Sequence, residues 1–488
     1  MKKTLFLSFA LSLSVLTSCE NKFDETNANP NDPTSVPAER LLPHAIYSAV
    51  SNIIGPSGTV SLGLDAGNGW AQHTARIQYT EIDQFSYTSD LQDLPWRSLY
   101  NEALADFQRV IELGKSSGNE NYQAIGLIMR SYVFSVLTDV YGDIPYSEAL
   151  KGTSDGIVAP KFDAQKDVYA GLVSDLKLAN DLINTKAVSK EGDILFAGDM
   201  TKWKKFANSL NLRLLNRMLS KTGASIDVKA EMTRILSDAT KYPVMTSNAD
   251  VAQLVYLTRP NNNPTNENRR TRDDHRVSAT LVDKLVALGD PRLAVYANKA
   301  TATGEYKGVP NGLPNSDAGA LGFTKTSKVG DYFTQETTPA VIMSFAELNF
   351  IRAEAALRGV SAAGDAAKAY SDGITASMSY YKLTPPADYL IKNALKFGDA
   401  ATSTVGLTQV LEQKWIALFG QGVEAWTEYR RTGIPSLVVP KVNYNAGMIP
   451  TRLPYPSAEE NLNNMNFKSA LTAMGGANTM QTKLWWAK

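Results

Sequence analysis

DLPWRSLYNEALADFQRVIELGKSSGNENYQAIGLIMRSYVFSVLTDVYGDIPY, residues 93–146, carries two helical periods joined by a polar link. In the first, Trp96, Leu99, Tyr100, Ala103, Leu104, Phe107, Val110 and Ile111 recur at the three-four spacing of one buried helix face. Glu102, Asp106 and Arg109 fall between them and can face water, and Pro95 suits a first turn, where its missing N–H costs nothing. The second period runs from about Tyr122 to Tyr141 and is apolar on most of its circumference, so that helix must be packed between neighbours. Gly142 and Pro145 stop it, and the short link Gly114 to Asn121 makes the pair an antiparallel hairpin.

The same arrangement recurs along the chain. Val168 to Ile183 pairs with Trp203 to Leu219, Phe345 to Leu357 pairs with Ala366 to Tyr380, and one further helix is expected over about Leu407 to Arg431. Repeated hairpins of this size predict tetratricopeptide-like stacking, on periodicity alone, since the consensus of that repeat is absent. Between Tyr242 and Ala340 the pattern gives way to clusters such as Asn261-Asn262-Asn263-Pro264 and Pro310-Asn311-Gly312. Long loops within an ordered domain are usually functional. The expectation is an all-α protein of tetratricopeptide-like helical hairpins with a loop-rich irregular half: a single domain over 38–488 with an insertion at about 242–340.

Ahead of that domain, Lys2 and Lys3 precede an apolar run from Leu5 to Leu16, which ends in Leu16-Thr17-Ser18-Cys19. A basic start, a short apolar stretch and small residues before a cut site describe a secretory signal peptide. A cysteine at the cut makes it a lipoprotein signal, because a thiol at the new N-terminus can be acylated. Residues 1–18 are therefore read as the signal peptide, Cys19 as the lipidation site and 19–37 as a tether whose Asn-Pro and Asp-Pro steps resist helix formation. The apolar run is too short to cross about 30 Å of hydrocarbon, and no later segment is expected to span a membrane.

Composition removes several chemistries. With Cys19 lipidated the chain has no other thiol, which excludes disulfides, thiolate zinc sites and cysteine nucleophiles. Only His44, His73 and His275 are present, too far apart for a local metal pair, so no metal site and no cofactor is assigned and calcium is not claimed. Forty-nine basic and 49 acidic residues give zero formal charge and no basic run longer than Arg269-Arg270, which argues against nucleic acid.

Several stretches together resemble the SusD/RagB family of outer-membrane lipoproteins, in its SusD-like branch. They are Leu16 to Cys19, the Asn-Pro tether, Trp96-Arg97-Ser98-Leu99-Tyr100, Asp139 to Tyr146, Asp290-Pro291-Arg292-Leu293, Ala346 to Ala355, Glu412-Gln413-Lys414-Trp415, Trp426 to Arg431, and Arg452-Leu453-Pro454-Tyr455-Pro456. The resemblance implies a non-catalytic lipoprotein on the outer membrane, facing the cell exterior. It would bind a nutrient, typically an oligosaccharide, and deliver it to a TonB-dependent SusC-like transporter. No residue-level ligand motif comes with it.

A sugar site needs a flat aromatic face beside hydrogen-bonding groups. On that ground the candidates are Trp70, Gln72, Arg76 and Tyr79 in one stretch, Trp96, Asn263 and Arg272 in the loop, and Tyr306 and Tyr332 in the irregular half. Against this, Asn68 to Tyr79 also reads as an amphipathic helix with Trp70 and Ile77 in the core, and Trp96 lies on an apolar stripe. Arg430-Arg431-Thr432-Gly433 fits a helix C-terminus better than a phosphate site. Glu347, Glu354, Glu412 and Glu428 have basic residues within reach, so ion pairing accounts for them.

Two other functions are weighed. A surface glycoside hydrolase on a helical scaffold needs two carboxylates flanking a cleft, and no local motif pairs them. A lipid-anchored solute-binding protein should alternate strands with helices, whereas here helix follows helix.

Overall fold

The computed structural model describes residues 36–55, 60–392, 395–397 and 404–487. The signal peptide, Cys19 and residues 19–35 of the tether lie outside them. In chain order the principal helices are α1 (Ala38–Ile54), α2 (Ser89–Ser98), α3 (Ala105–Ser116), α4 (Glu120–Tyr141), α5 (Gln165–Leu182), α6 (Met200–Met218) and α7 (Val228–Ser237). They are followed by α8 (Pro264–Thr271), α9 (Ala279–Leu288), α10 (Phe345–Leu357), α11 (Ala366–Tyr380), α12 (Thr404–Ala417), α13 (Gly422–Thr432) and α14 (Asn464–Met474). As the periodicity requires, α3 packs on α4, α4 on α5, α5 on α6, and α10 on both α11 and α12. The fold is mostly helical, as expected.

Two apolar clusters result. The larger lies among α1 to α7 and takes in the C-terminal residues; the smaller is built from α9 to α12 and the segment around Tyr296. Phe345 and Leu437 pack against both. Helix α4 is long and apolar enough to cross a membrane, contrary to the expectation that no segment past the leader is, but 94% of that window is buried among its neighbours.

The described residues form three short antiparallel ribbons, two of which tie the irregular half down. β4 (Ala252–Leu254) pairs with β6 (Ala340–Met343), so the chain leaves the helical body and returns to it at adjacent points, with Leu254 opposite Ala340. β1 (Thr74–Arg76) pairs with β5 (His275–Val277), fastening the insertion to the N-terminal part, and β2 (Ile144–Pro145) pairs with β3 (Phe162–Asp163).

Three local expectations are corrected. Pro95 is the seventh residue of α2, not part of its first turn, because Thr88 caps the helix earlier by accepting the Leu91 N–H at 3.2 Å. Beyond it the chain widens through Leu99–Leu104 to i→i+5 spacing before α3. The single helix expected over Leu407 to Arg431 is two, broken where Gly420 adopts φ +84°, a left-handed conformation that costs glycine nothing. The segment from Asn68 is helical only to Trp70 and then turns at Gln72 (φ +55°) into β1. A strand also runs through Val277, and α9 starts only after Ser278, whose hydroxyl accepts the Thr280 N–H.

The break at Gly420 allows α13 to start against the backbone of residues 63–68. A Cβ on Gly422 would lie 2.4 Å from the Asn68 nitrogen and 2.4 Å from the Gly63 oxygen, and one on Gly67 would lie 2.5 Å from the Gly422 carbonyl carbon. Neither neighbour is a side chain that can swing away. Gly422→Ala should therefore lower unfolding stability by at least about 1–3 kcal/mol, the usual cost of overpacking; an unchanged denaturant midpoint would refute this close approach.

Candidate functional site

Arg213 and Arg217, one turn apart on α6, point the same way into the junction of the two halves. Arg213 grips Glu347 of α10 through two parallel bonds of 2.6 and 2.5 Å and donates to the Ile342 carbonyl at 2.7 Å. Arg217 donates to Asp139 of α4 at 3.1 Å and to Glu424 of α13. Farther along, Arg431 holds Glu354 and Glu428 at 2.7 Å each, and Lys414 of α12 lies 3.0 Å from Glu428. Glu412 pairs with Lys284 at 2.8 Å, so the four glutamates read as ion-paired are so. Burial pushes the Glu424 and Glu428 carboxyls up, but the surrounding guanidinium and ammonium charges outweigh it and hold both below the usual range. Gly433 closes α13 with φ +72°, as expected of a helix C-terminus.

This ionic layer floors a crevice that opens between α1, α8 and the irregular half. Arg213, Arg217, Asp139 and Glu424 are at its base. One wall is aromatic: Tyr332 stands edge-on to Tyr381 at 5.2 Å, Tyr380 edge-on to Tyr381 at 5.0 Å, and Phe333 edge-on to Phe419 at 4.8 Å. Tyr380 donates to Gln253 at 2.6 Å, which fixes its ring. Asn263, Thr265, Arg269 and Gln421 supply the polar side. The space is about 110 Å³, where about 10–15 Å³ admits one water. Aromatic faces beside mixed donors and acceptors suit a hydroxyl-bearing ligand, whereas the buried carboxylates are engaged by arginines and are not poised as an acid and base pair.

Of the residues singled out from sequence, the crevice brings together Asn263 and Tyr332. Asn263 is also structural, capping α8 by accepting the Thr265 N–H at 2.7 Å and donating to the Thr338 carbonyl at 2.9 Å. Tyr79 and Arg272 meet elsewhere on the surface, the guanidinium 5.8 Å from the ring centre; Tyr79 is 54% exposed and has φ +58°. Tyr306 is half-buried under the Lys299 ammonium, apart from both groups.

The expectation of ligand-facing groups at Trp70, Gln72, Arg76 and Trp96 is not met, because none offers a free face. Trp70 is fully buried, donates to the Ile82 carbonyl at 3.0 Å and packs edge-on to Trp426. Trp96 is enclosed by Tyr100, Tyr141, Phe162 and Tyr455. Gln72 bonds Val438 and Thr280, and Arg76 is clamped between Asp65 and Asp274. Sequence reasoning missed Phe333, Tyr380, Tyr381, Arg269 and Gln421. Adjacent tyrosines at the end of a helix were the available signal, since neighbouring positions cannot both face one core.

A family model described as starch-binding proteins associating with the outer membrane matches residues 30–456. The chain belongs to the SusD-like family. That family comprises outer-membrane binding proteins, not enzymes. A chitin-binding protein of known structure is 29% identical with a TM-score of 0.76, covering 91% of this chain and 99% of its own. An outer-membrane protein of Bacteroides vulgatus to which nutrient binding is ascribed is 25% identical, with a TM-score of 0.80 and coverage of 93% and 100%. A SusD homologue of Bacteroides uniformis is 26% identical, with a TM-score of 0.80 and coverage of 92% and 99%. No curated protein matches the chain.

Behind the crevice, His73 is fully buried with Nε2 2.9 Å from the Trp415 carbonyl, and burial depresses its pKa to about 3. Between pH about 6.5 and about 3 the unfolded chain binds a proton there that the folded chain does not. Folding stability should therefore fall as pH drops through that window, with this histidine contributing up to about 1.4 kcal/mol per pH unit. His73→Gln keeps a donor and should flatten that part of the slope; identical pH profiles in chemical denaturation would refute the assignment.

Proposed function

We propose that the protein is a lipid-anchored binding protein on the cell exterior that captures an oligosaccharide in the aromatic crevice and passes it to a SusC-like TonB-dependent transporter. The single observation that carries the reading is the crevice itself, in which half-exposed Tyr332 and its tyrosine neighbours face Arg269 and Gln421 above an ionic floor. Aromatic rings match the apolar C–H face of a pyranose, and the flanking amide and guanidinium groups match its hydroxyls. The starch-binding description of the family and the chitin-binding relative support a glucose-type or N-acetylglucosamine-type ligand. The anchor reading rests on Leu16 to Cys19, and two acyl chains hold a protein stably at a membrane.

Calorimetry with starch and chitin oligosaccharides should detect binding, and Tyr332→Ala should weaken it at least tenfold, about 1.4 kcal/mol, without lowering the melting temperature appreciably. Undiminished affinity in that variant would remove the crevice from consideration. Cys19→Ser should shift the protein from the membrane fraction to the soluble one, and gentle solubilisation of the native protein should recover a barrel partner with it. A Cys19→Ser variant that stays in the membrane fraction would overturn the anchor.

A further inference from the structure

Helix α1 has two outer flanks. Val50 and Ile53 close one side of the crevice, while Tyr47, Ser48, Ser51 and Asn52 open into a second groove. Its space is about 340 Å³, against about 110 Å³ for the crevice. The far wall is shared as well: Asn263 and Thr265 line the crevice, and Asn262, Pro264 and Glu267 line the groove. One helix and one short loop separate the two spaces.

We infer that this groove is a second sugar subsite, taking a further unit of a neutral oligosaccharide whose other end lies in the crevice. The inference rests on the proposed function and extends it. Tyr47 is half-buried and held edge-on against the buried Tyr256, with ring centres 5.9 Å apart, so the orientation of its ring is fixed. Pro260 and Pro264 add apolar surface on the opposite side.

The polar groups are equally constrained. Glu102 is tied through Oε2 to the Ser48 hydroxyl at 3.0 Å and the Asn52 amide at 3.2 Å, which leaves Oε1 without a partner among the described residues. Asn262 spends its amide N–H groups on Asn266 and Glu267, leaving its oxygen open. A site whose acceptors are fixed in advance binds without the cost of ordering them. Acceptors exceed donors here, so the ligand must donate, as sugar hydroxyls do. Glu267 is shared with Arg259 and Arg270, and His44 at the groove's end is engaged by Asp106 at 2.8 Å. No cation among the lining residues is left over to balance Glu102, so a uronic acid would meet repulsion and a neutral sugar would not.

The test is calorimetry with neutral chitin and maltose oligomers of two to six units, and with an oligogalacturonate series, on the intact protein, Tyr47→Ala and Glu102→Gln. Both replaced side chains are at least partly solvent-exposed, and melting temperatures check that the variants fold. Affinity for the neutral series should rise with length. Both variants should lose most of that rise, about tenfold for the hexamer, with the dimer unaffected, and oligogalacturonates should bind at least tenfold more weakly. Variants that match the intact protein at every length, or that weaken dimer and hexamer alike, overturn the second subsite while leaving the crevice standing if Tyr332→Ala still weakens binding. Failure of every oligomer to bind the intact protein overturns both.

Discussion

The buried ionic layer formed by Arg213, Arg217, Lys414 and Arg431 with Asp139, Glu347, Glu354, Glu424 and Glu428 is the constraint on which the two halves depend. Its members come from α4, α6, α10, α12 and α13, so elements separated by up to 292 positions in the chain are held in one register. Removing such charges from water costs several kcal/mol each, and only close, multiply bonded geometry repays it. The two-pronged contact of Arg213 with Glu347 and of Arg431 with Glu354 is geometry of that kind. A helix displaced by one residue would leave an arginine or a glutamate unpaired in the interior, which penalises every alternative packing far more than a purely apolar seam would.

The hairpins α3–α4, α5–α6 and α10–α11 were readable because each buries a stripe at helical spacing, and the stripe is visible in one sequence. Leu407 to Arg431 misled because its apolar spacing continues through the break. The interruption at Gly420 is set by the approach of Gly422 to Gly63 and Asn68, more than 350 positions away. Asn68 to Tyr79 misled for the same reason: its end is governed by pairing with His275 to Val277, and a strand of three residues leaves too short a pattern to recognise. Glutamate and arginine on the helices could be read as ion-paired, but not with which partner, since the partners lie on other helices.

The candidate binding surface was less legible than the fold. Trp70 and Trp96 have the right chemistry for sugar, yet their rings complete the core, and a sequence gives aromatic character without exposure. Tyr332 was identifiable because it lies in the irregular half, where no periodic stripe claims it. Phe333 beside it shares that position, whereas the Tyr380-Tyr381 pair is marked by its adjacency at a helix end, because the crevice joins residues from segments that follow different structural rules. The polar side was hidden for a further reason: Asn263 serves the loop as a helix cap and the crevice as a wall, so its local role masks the distant one.

Rigidity on one side of a ligand has a consequence for the other. β4 and β6 pin both ends of the insertion, β1 and β5 pin its middle, and the ionic layer fixes the floor, so the crevice is set by contacts that any closing motion of the two halves would have to break. A preformed surface of this sort lowers the ordering cost of capture. It would also leave the solvent-facing side of the proposed oligosaccharide in water, where hydroxyl contacts are weak and exchange is fast. If the ligand is passed on to a transporter as proposed, retention long enough for that step requires a second body to cover the open face, and the fixed shape of the first makes a single complementary cover sufficient. Under the proposed function the physical division of labour is then recognition by the rigid helical platform and enclosure by the transporter.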